Sequence, residues 1–134
     1  IIENAYQDAV DFDFSNLDIA EIKVDFAGND CLDLSGGVYI VNQIYANGCG
    51  DKAISVGERS NVKFKKVEIN DSLIGIAVKD MSTAIIENGI ANNLETCISA
   101  FQKKQEFGGA KVEFINFICN GSFSQDESSI INEI

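Results

Sequence analysis

The sequence predicts an all-β fold, a right-handed single-stranded parallel β-helix (a solenoid) of about five coils. Three observations indicate this fold. Apolar residues recur at a step of about 22 residues, they alternate with a period of two inside each repeat, and small residues or Asn occupy fixed places between them. Each repeat then contains three short strands, which can bury their apolar face only by stacking on the next coil.

The first strand of each coil is marked by two apolar columns with a constant step of 22 residues. The columns are Val10, Leu32, Ile54, Ile76, Ile98 and Phe12, Leu34, Val56, Val78, Ala100. Residues two apart on a strand point to the same face. We therefore expect both columns to face the interior and the residues between them to face solvent.

The second and third strands repeat with steps of 22, 23, 22 and 28 residues. Their columns begin at Leu17 and Ile19 and at Ile22 and Val24. One extra residue therefore enters between Ala46 and Val62, and six enter between Ala100 and Val112. The longer insertion should loop out beside the first strand, and we call residues Gln102 to Gly109 the flap.

Two further columns predict the corners between strands. The residues that follow the third strand are Asp25, Asn47, Asn70, Asn92 and Asn120, and those that precede the second strand are Ser15, Gly37, Ser60, Ser82 and Ala110. Stacked Asn side chains hydrogen-bond to one another, and Asn tolerates left-handed backbone. The coils expected in this single domain, residues 1–134, are 8–29, 30–50, 51–73, 74–95 and 96–121, followed by a tail or cap at 122–134.

Composition narrows the possible functions. The formal net charge of -11 opposes binding to nucleic acid or to an anionic membrane, and no apolar run is long enough to insert into a membrane. The absence of His removes His-based catalytic triads and most zinc sites. Since the chain starts at Ile1 and its only Met is Met81, we expect it to be a processed product or a piece of a longer protein.

Residues 8–121, with the 22-residue repeat and the Asn column, resemble the pectate-lyase-like superfamily of right-handed parallel β-helices. The stretches Gly50 to Ser60, Val78 to Ser82 and Lys103 to Ala110 also resemble β-helical segments of secreted bacterial proteins related to spore-coat protein H. The Gly-His-Gly and Arg-Ile-Lys segments of polygalacturonase-type members are missing. For the lyase members, the resemblance implies a Lys or Arg base and bound calcium along the first-strand face.

A calcium site is predicted at Asp11, Asp13 and Asp33 on that face. The 22-residue step places Asp11 and Asp33 one coil apart, where a hard cation would relieve the repulsion between their carboxylates. The alternative is that these carboxylates are simply solvated.

Three residues are catalytic candidates, but only if the protein is an enzyme: Lys79, Glu58 and Asp80. Glu58 and Asp80 are 22 residues apart, and two close carboxylates can divide the roles of glycoside cleavage. Alternatively they are turn residues that accept hydrogen bonds from backbone amides. Lys79 could act as a base if its pKa were lowered, but its acidic neighbours favour a salt-bridged structural role.

The candidate binding residues lie on the same face and on the flap. They are Phe101, Ser55, Ser99, Lys103, Lys104 and Glu106. Phe101 is the only aromatic residue in the outward columns of the first strand, and a sugar ring could stack on it. Alternatively, the flap packs against the barrel through Phe107.

The four cysteines, Cys31, Cys49, Cys97 and Cys119, form no CxxC unit. Cys31 and Cys97 share a column but lie three coils apart, too far for a disulfide. We therefore expect all four to be free and buried in the core or at corners.

The leading functional expectation is a solenoid module of a larger exported or surface protein, extracellular or at the cell surface, that binds carbohydrate or a protein partner. A polysaccharide lyase or glycoside hydrolase acting in the first-strand groove, with calcium as a possible cofactor, is the alternative. A structural spacer is the third.

Overall fold

Twelve parallel strands stack into a β-solenoid of about six turns with about 22 residues per turn, and the chain contains no helix. The structure is a computed structural model that describes all of residues 1–134. The strands are β1 (Ile2–Ala5), β2 (Val10–Asp13), β3 (Asn16–Ile19), β4 (Ile22–Ala27), β5 (Leu32–Ser35), β6 (Val38–Val41), β7 (Ile44–Gly57), β8 (Asn61–Lys79), β9 (Thr83–Phe101), β10 (Lys111–Cys119), β11 (Ser122–Gln125) and β12 (Ile130–Glu133).

The predicted columns are confirmed by the strand register. The first column pairs in sequence from Val10 through Leu32, Ile54 and Ile76 to Ile98. Because side chains alternate between the two faces of a strand, this column faces inward, and its three middle members are fully buried. The extra residue of the 23-residue step enters at the corner between Gly57 and Asn61, and the register shift between Cys49 and Lys52 returns the step to 22 residues.

The strands are longer than the three short strands per coil that the sequence predicts. β7, β8 and β9 each run without a break from the third strand of one coil into the first strand of the next. Only the corners after the first strand interrupt the ladder in these coils, and the flap extends one of them.

Left-handed residues form a column at two of the corners. After the third strand these are Asn4, Phe26, Gly48, Asp71 and Asn93. After the first strand they are Phe14, Gly36, Glu58 and Asp80, and Glu58 and Asp80 are each followed by a second left-handed residue, Arg59 and Met81. The predicted Asn column beside the first of these sets is confirmed in pairs: Asn47 donates to Asp25 at 3.2 Å, and Asn92 donates to Asn70 at 3.2 Å. Each coil therefore turns at the same places.

The stack extends beyond the five predicted coils at both ends. β1 pairs with β4 and so supplies the third strand of an incomplete first turn. Residues 122–134, expected as a tail or cap, form β11 on β9 and β12 on β10. Ser129 of this last turn continues the column of small corner residues, since its hydroxyl accepts the Ala110 N–H at 2.9 Å.

The prediction of free cysteines is wrong. Disulfides join Cys31 to Cys49 and Cys97 to Cys119, with Cα–Cα distances of 5.5 and 6.1 Å, and no cysteine is free. The distance between coils excludes Cys31–Cys97 but not pairs inside one coil. Cys31 lies at the start of a coil and Cys49 at its end. The corner where the coil closes, after its third strand, brings the two residues together.

Candidate functional site

The strand-one face consists of the outward residues of the first strands. Its two columns are Asp11, Asp33, Ser55, Ala77, Ser99 and Asp13, Ser35, Gly57, Lys79, Phe101. Parallel pairing puts the members of a column in register, about 4.8 Å apart. Carboxylates occupy one end of the face, Lys79 lies toward the other end, and the flap follows Phe101 directly.

Three carboxylates meet at the acidic end, but not the three that the sequence predicts. Oxygens of Asp8, Asp11 and Asp33 lie within 4.8 Å of one another, and Asp13 is not among them. Asp8 precedes the strand and breaks the alternation, which is why the column pattern missed it. Its Oδ1 accepts the side-chain N–H of Asn29 at 2.7 Å and the backbone N–H of Asp30 at 2.9 Å, which hold it in place.

The environment of Asp11 disfavours its charge. Burial raises the pKa of Asp11, and the negative charges of Asp13, Asp33 and Asp8 raise it further. Three convergent carboxylate oxygens are a donor set that a hard cation such as calcium prefers. The geometry that would support a cation therefore exists, with Asp8 in the place expected for Asp13.

Lys79 does not form the salt bridge that the sequence favours, since none of the ion pairs in the chain includes it. Its side chain crosses Gly57, where an added Cβ would lie 2.9 Å from Cε, and its Nζ donates to Ser55 Oγ at 3.1 Å. Burial lowers the pKa of Lys79; Asp33 opposes this, and Lys103 and Lys52 reinforce it. The expected salt bridge does not form because Gly57 leaves room for the Lys79 side chain to lie along the face toward Ser55, which the alternation does not reveal.

Two candidate binding residues of this face differ in access. Ser55 is fully buried under Lys79, so a ligand could reach its hydroxyl only if the lysine moved. Ser99, two coils further along the column, is half-buried. Phe101 is also half-buried, which leaves part of its ring open beside the flap.

Asp80 anchors the flap. The residue is 0% exposed, and its Oδ1 accepts the backbone N–H groups of Lys103 at 2.7 Å and Lys104 at 2.9 Å. Its Oδ2 has no partner. The carboxylate of Glu58 forms an ion pair with Lys104. This geometry matches the alternative that treats both acids as turn residues.

Further contacts close the flap on itself. The Gln102 amide donates to flap carbonyls, including that of Phe107, and the Gln102 backbone N–H donates to Asp126 Oδ2 at 2.8 Å. The guanidinium of Arg59 lies 5.4 Å from the centre of the Phe107 ring. The side chains of Lys103, Lys104 and Glu106 remain exposed on this ordered loop.

Four surface depressions of about 210 to 440 Å³ occur, and none is lined by a residue of the strand-one face. The face is therefore an open surface rather than a pocket. The largest depression lies near the start of the chain, at the corner that contains Tyr6 and Phe26. No periodic pattern in the sequence predicts this depression, because both residues lie outside the apolar columns of the strands.

Comparison with known proteins adds no relative. No protein-family model matches the chain, and no curated protein or solved structure matches it either. No helix is long and apolar enough to cross a membrane. The structure shows a β-solenoid.

Proposed function

We propose that this protein is a β-solenoid binding module of an exported or surface protein, and that it binds an oligosaccharide along the strand-one face. One observation carries the proposal: Asp80 fixes the flap next to Phe101, so an aromatic ring and three charged side chains stand in a preformed arrangement. A preformed site loses little conformational freedom when it binds.

The shape of the face agrees with an extended ligand. Between Asp33 and Phe101 the only long side chain of the two columns is that of Lys79, which lies along the face over Gly57 and Ser55, so a chain of sugar units could lie flat across the coils. Phe101 would contact an apolar sugar face, while Lys103, Lys104 and Glu106 on the flap would meet hydroxyl groups. The first-strand groove is also where the ligands of pectate-lyase-like proteins bind, which the sequence resembles.

The two disulfides support export. Disulfides form and persist in oxidising compartments and are rare in the cytosol. Each joins the two ends of one coil of a small domain. An extracellular or cell-surface location follows as part of the proposal.

The test is a glycan array followed by titration calorimetry on any ligand found. Phe101→Ala should weaken binding by about tenfold, because stacking on an aromatic ring contributes about 0.5–1.5 kcal/mol beyond its buried area. The matched control is Ile118→Ala, since Ile118 is exposed on the outer face of the third strand. Absence of any saccharide ligand, or equal affinity of Phe101→Ala and wild type, would reject the proposal.

The lyase alternative rests on Lys79. A lysine base needs a lowered pKa, and burial gives Lys79 that property on the same face as the Asp8, Asp11 and Asp33 carboxylates. The hydrolase alternative has less support, because Glu58 and Asp80 already bind the flap. Unsaturated sugar products that form with wild type and not with Lys79→Met would favour the lyase, and the same assay would show no turnover by a binding module.

A further inference from the structure

One aromatic residue interrupts the left-handed column that follows the third strand. The column has φ values of 57° at Asn4, 67° at Phe26, 69° at Gly48, 57° at Asp71 and 59° at Asn93. Asn, Asp and Gly adopt this backbone readily, whereas a bulky residue does so only under strain. Phe26 is thus the one residue of this column that is poorly suited to its backbone conformation.

The ring of Phe26 lies flat on the next coil. A Cβ placed on Gly48 would come within 2.4 Å of Cδ1 and 2.8 Å of Cε1 of Phe26, so the ring occupies the space that this glycine leaves. The residue is nevertheless 56% exposed. One side of the ring rests on the Gly48 backbone, and much of the rest is open to solvent.

A second aromatic residue stands beside it. Tyr6 is 92% exposed and lines, together with Phe26, Asn4, Gly28 and Gly48, a depression of about 440 Å³. Gly28 lets the Tyr6 backbone approach closely, since a Cβ there would lie 1.9 Å from the Tyr6 carbonyl oxygen. The depression therefore has two accessible aromatic side chains, a floor of glycine backbone and the exposed side chain of Asn4 at its rim.

We propose that this depression is a second binding site, distinct from the strand-one face, and that it takes a ring of a neutral saccharide. The C–H face of a sugar packs on an aromatic ring, and the Asn4 amide, which makes no hydrogen bond within the chain, is available to a hydroxyl group. None of the lining residues is charged, and the residues that precede Asn4 and Phe26 are the acids Glu3 and Asp25, so an anionic sugar finds no cationic partner in the lining. The depression is open rather than enclosing, which suits one ring of a longer chain.

The decisive variant is Phe26→Asn, because Asn4 and Asn93 occupy the same column with the same backbone. This change removes the ring and keeps a residue that the corner accepts. Phe14→Asn is the matched control, since Phe14 has φ 48°, is 78% exposed and lies on Gly36 in the same manner at another corner, away from every depression. Melting curves and far-ultraviolet dichroism check that both variants are folded.

The measurement is a titration of the ¹⁵N-labelled protein with neutral gluco-, xylo-, manno- and N-acetylglucosamine oligosaccharides, followed by amide shifts. We expect shifts at Gly28 and Gly48, and an affinity about tenfold lower or worse in Phe26→Asn and Tyr6→Ser than in wild type and Phe14→Asn. Phe101→Ala should leave these shifts unchanged, so failure of the strand-one proposal and failure of this one are distinguishable.

Three results would overturn the second site. The first is an absence of shifts at Gly28 and Gly48 with every neutral sugar. The second is binding at this place of choline or a sugar acid but of no neutral sugar. The third is a lower melting temperature in Phe26→Asn with unchanged sugar affinity, which would make the ring only a cover for the Gly48 backbone.

Discussion

Asp11 shows how stacking in register changes the chemistry of a single residue. The β2–β5 pairing places it opposite Asp33, and the turn before β2 brings Asp8 to both. Repulsion among these carboxylates is therefore a consequence of the 22-residue step. The sequence predicted the Asp11–Asp33 pair correctly because that pair depends on register alone. It could not identify Asp8, which a loop places there.

The first prediction concerns the charge of Asp11. Its pKa is raised in the folded chain, so the stability it contributes is complete below the ordinary aspartate value of about 3.9 and is lost as pH rises through the folded value. Asp11→Asn should consequently melt at a higher temperature than wild type at pH 7 and at the same temperature at pH 3, with a chelator present throughout. The control is Glu127→Gln, because Glu127 is exposed like Asp11 but lies outside the carboxylate cluster. A lower melting temperature for Asp11→Asn at pH 7 would contradict the prediction.

The second prediction is a response to calcium. If Asp8, Asp11 and Asp33 hold the ion, calcium binds the folded state and should raise the free energy of unfolding by about 2.7 kcal/mol at 100 times the Kd, and with it the melting temperature. The gain should vanish in the Asp11→Asn, Asp33→Asn double variant and persist in Glu58→Gln. Melting curves in calcium, in magnesium and with a chelator measure it. An unchanged wild-type melting temperature would remove the metal from the lyase alternative.

At the scale of elements, most of the structural features that the alternation could not predict lie at the corners between strands. The strands followed from apolar columns, because a fixed step and a period of two determine pairing and facing without further information. The orientation of Lys79 depended instead on the missing side chain of Gly57, and the flap's closure depended on Asp80 and Gln102. The cysteine pairs were missed for a related reason, since they meet across the closing corner of a coil and not within a column.

The third prediction tests the flap as an element. Asp80→Gly removes the carboxylate that holds the Lys103 and Lys104 amides, and Gly tolerates the left-handed backbone at this position. Hydrogen bonds to a charged group contribute about 1.5–3 kcal/mol each, so trypsin should cleave after Lys103 and Lys104 at least about tenfold faster than in wild type.

Two variants make this test specific. Asp80→Asn keeps one acceptor oxygen and should be cleaved at an intermediate rate. Glu58→Gln loses only the ion pair with Lys104, which is exposed, and should resemble wild type. Equal cleavage of Asp80→Gly and wild type would show that the flap is held by other contacts, and the preformed site would lose its main support.

At the scale of the whole molecule, the solenoid is a series of coils in which each contacts only its neighbours. The buried core runs along the stack, so each coil is stabilised by its own layer of core side chains and by its neighbours, and the total stability is the sum of these local terms. At the starting end, the inward residues Val10, Phe12 and Leu17 are only partly buried, whereas Leu32 and Ile54 are fully buried. The two disulfides lie in coils near either end, one in the coil that begins with β5 and the other in the coil completed by β10. This placement predicts that they secure the regions most prone to open.

The last prediction is that the disulfides act separately. Their sequence separations are 18 and 22 residues, and a crosslink of this loop length stabilises by about 3 kcal/mol in the chain-entropy model. Two double variants each remove one disulfide: Cys31→Ala with Cys49→Ala, and Cys97→Ala with Cys119→Ala. Each double variant should lower the melting temperature by several degrees. Hydrogen exchange should show that each pair, when removed, exposes the amides of its own coil and of the adjacent coils first, because coupling in a solenoid decays with distance along the stack. A reductant should lower the melting temperature of wild type and leave the variant that lacks all four cysteines unchanged. Uniform loss of protection from β2 to β12 in either pair variant would contradict local action and indicate that the stack unfolds as one cooperative unit.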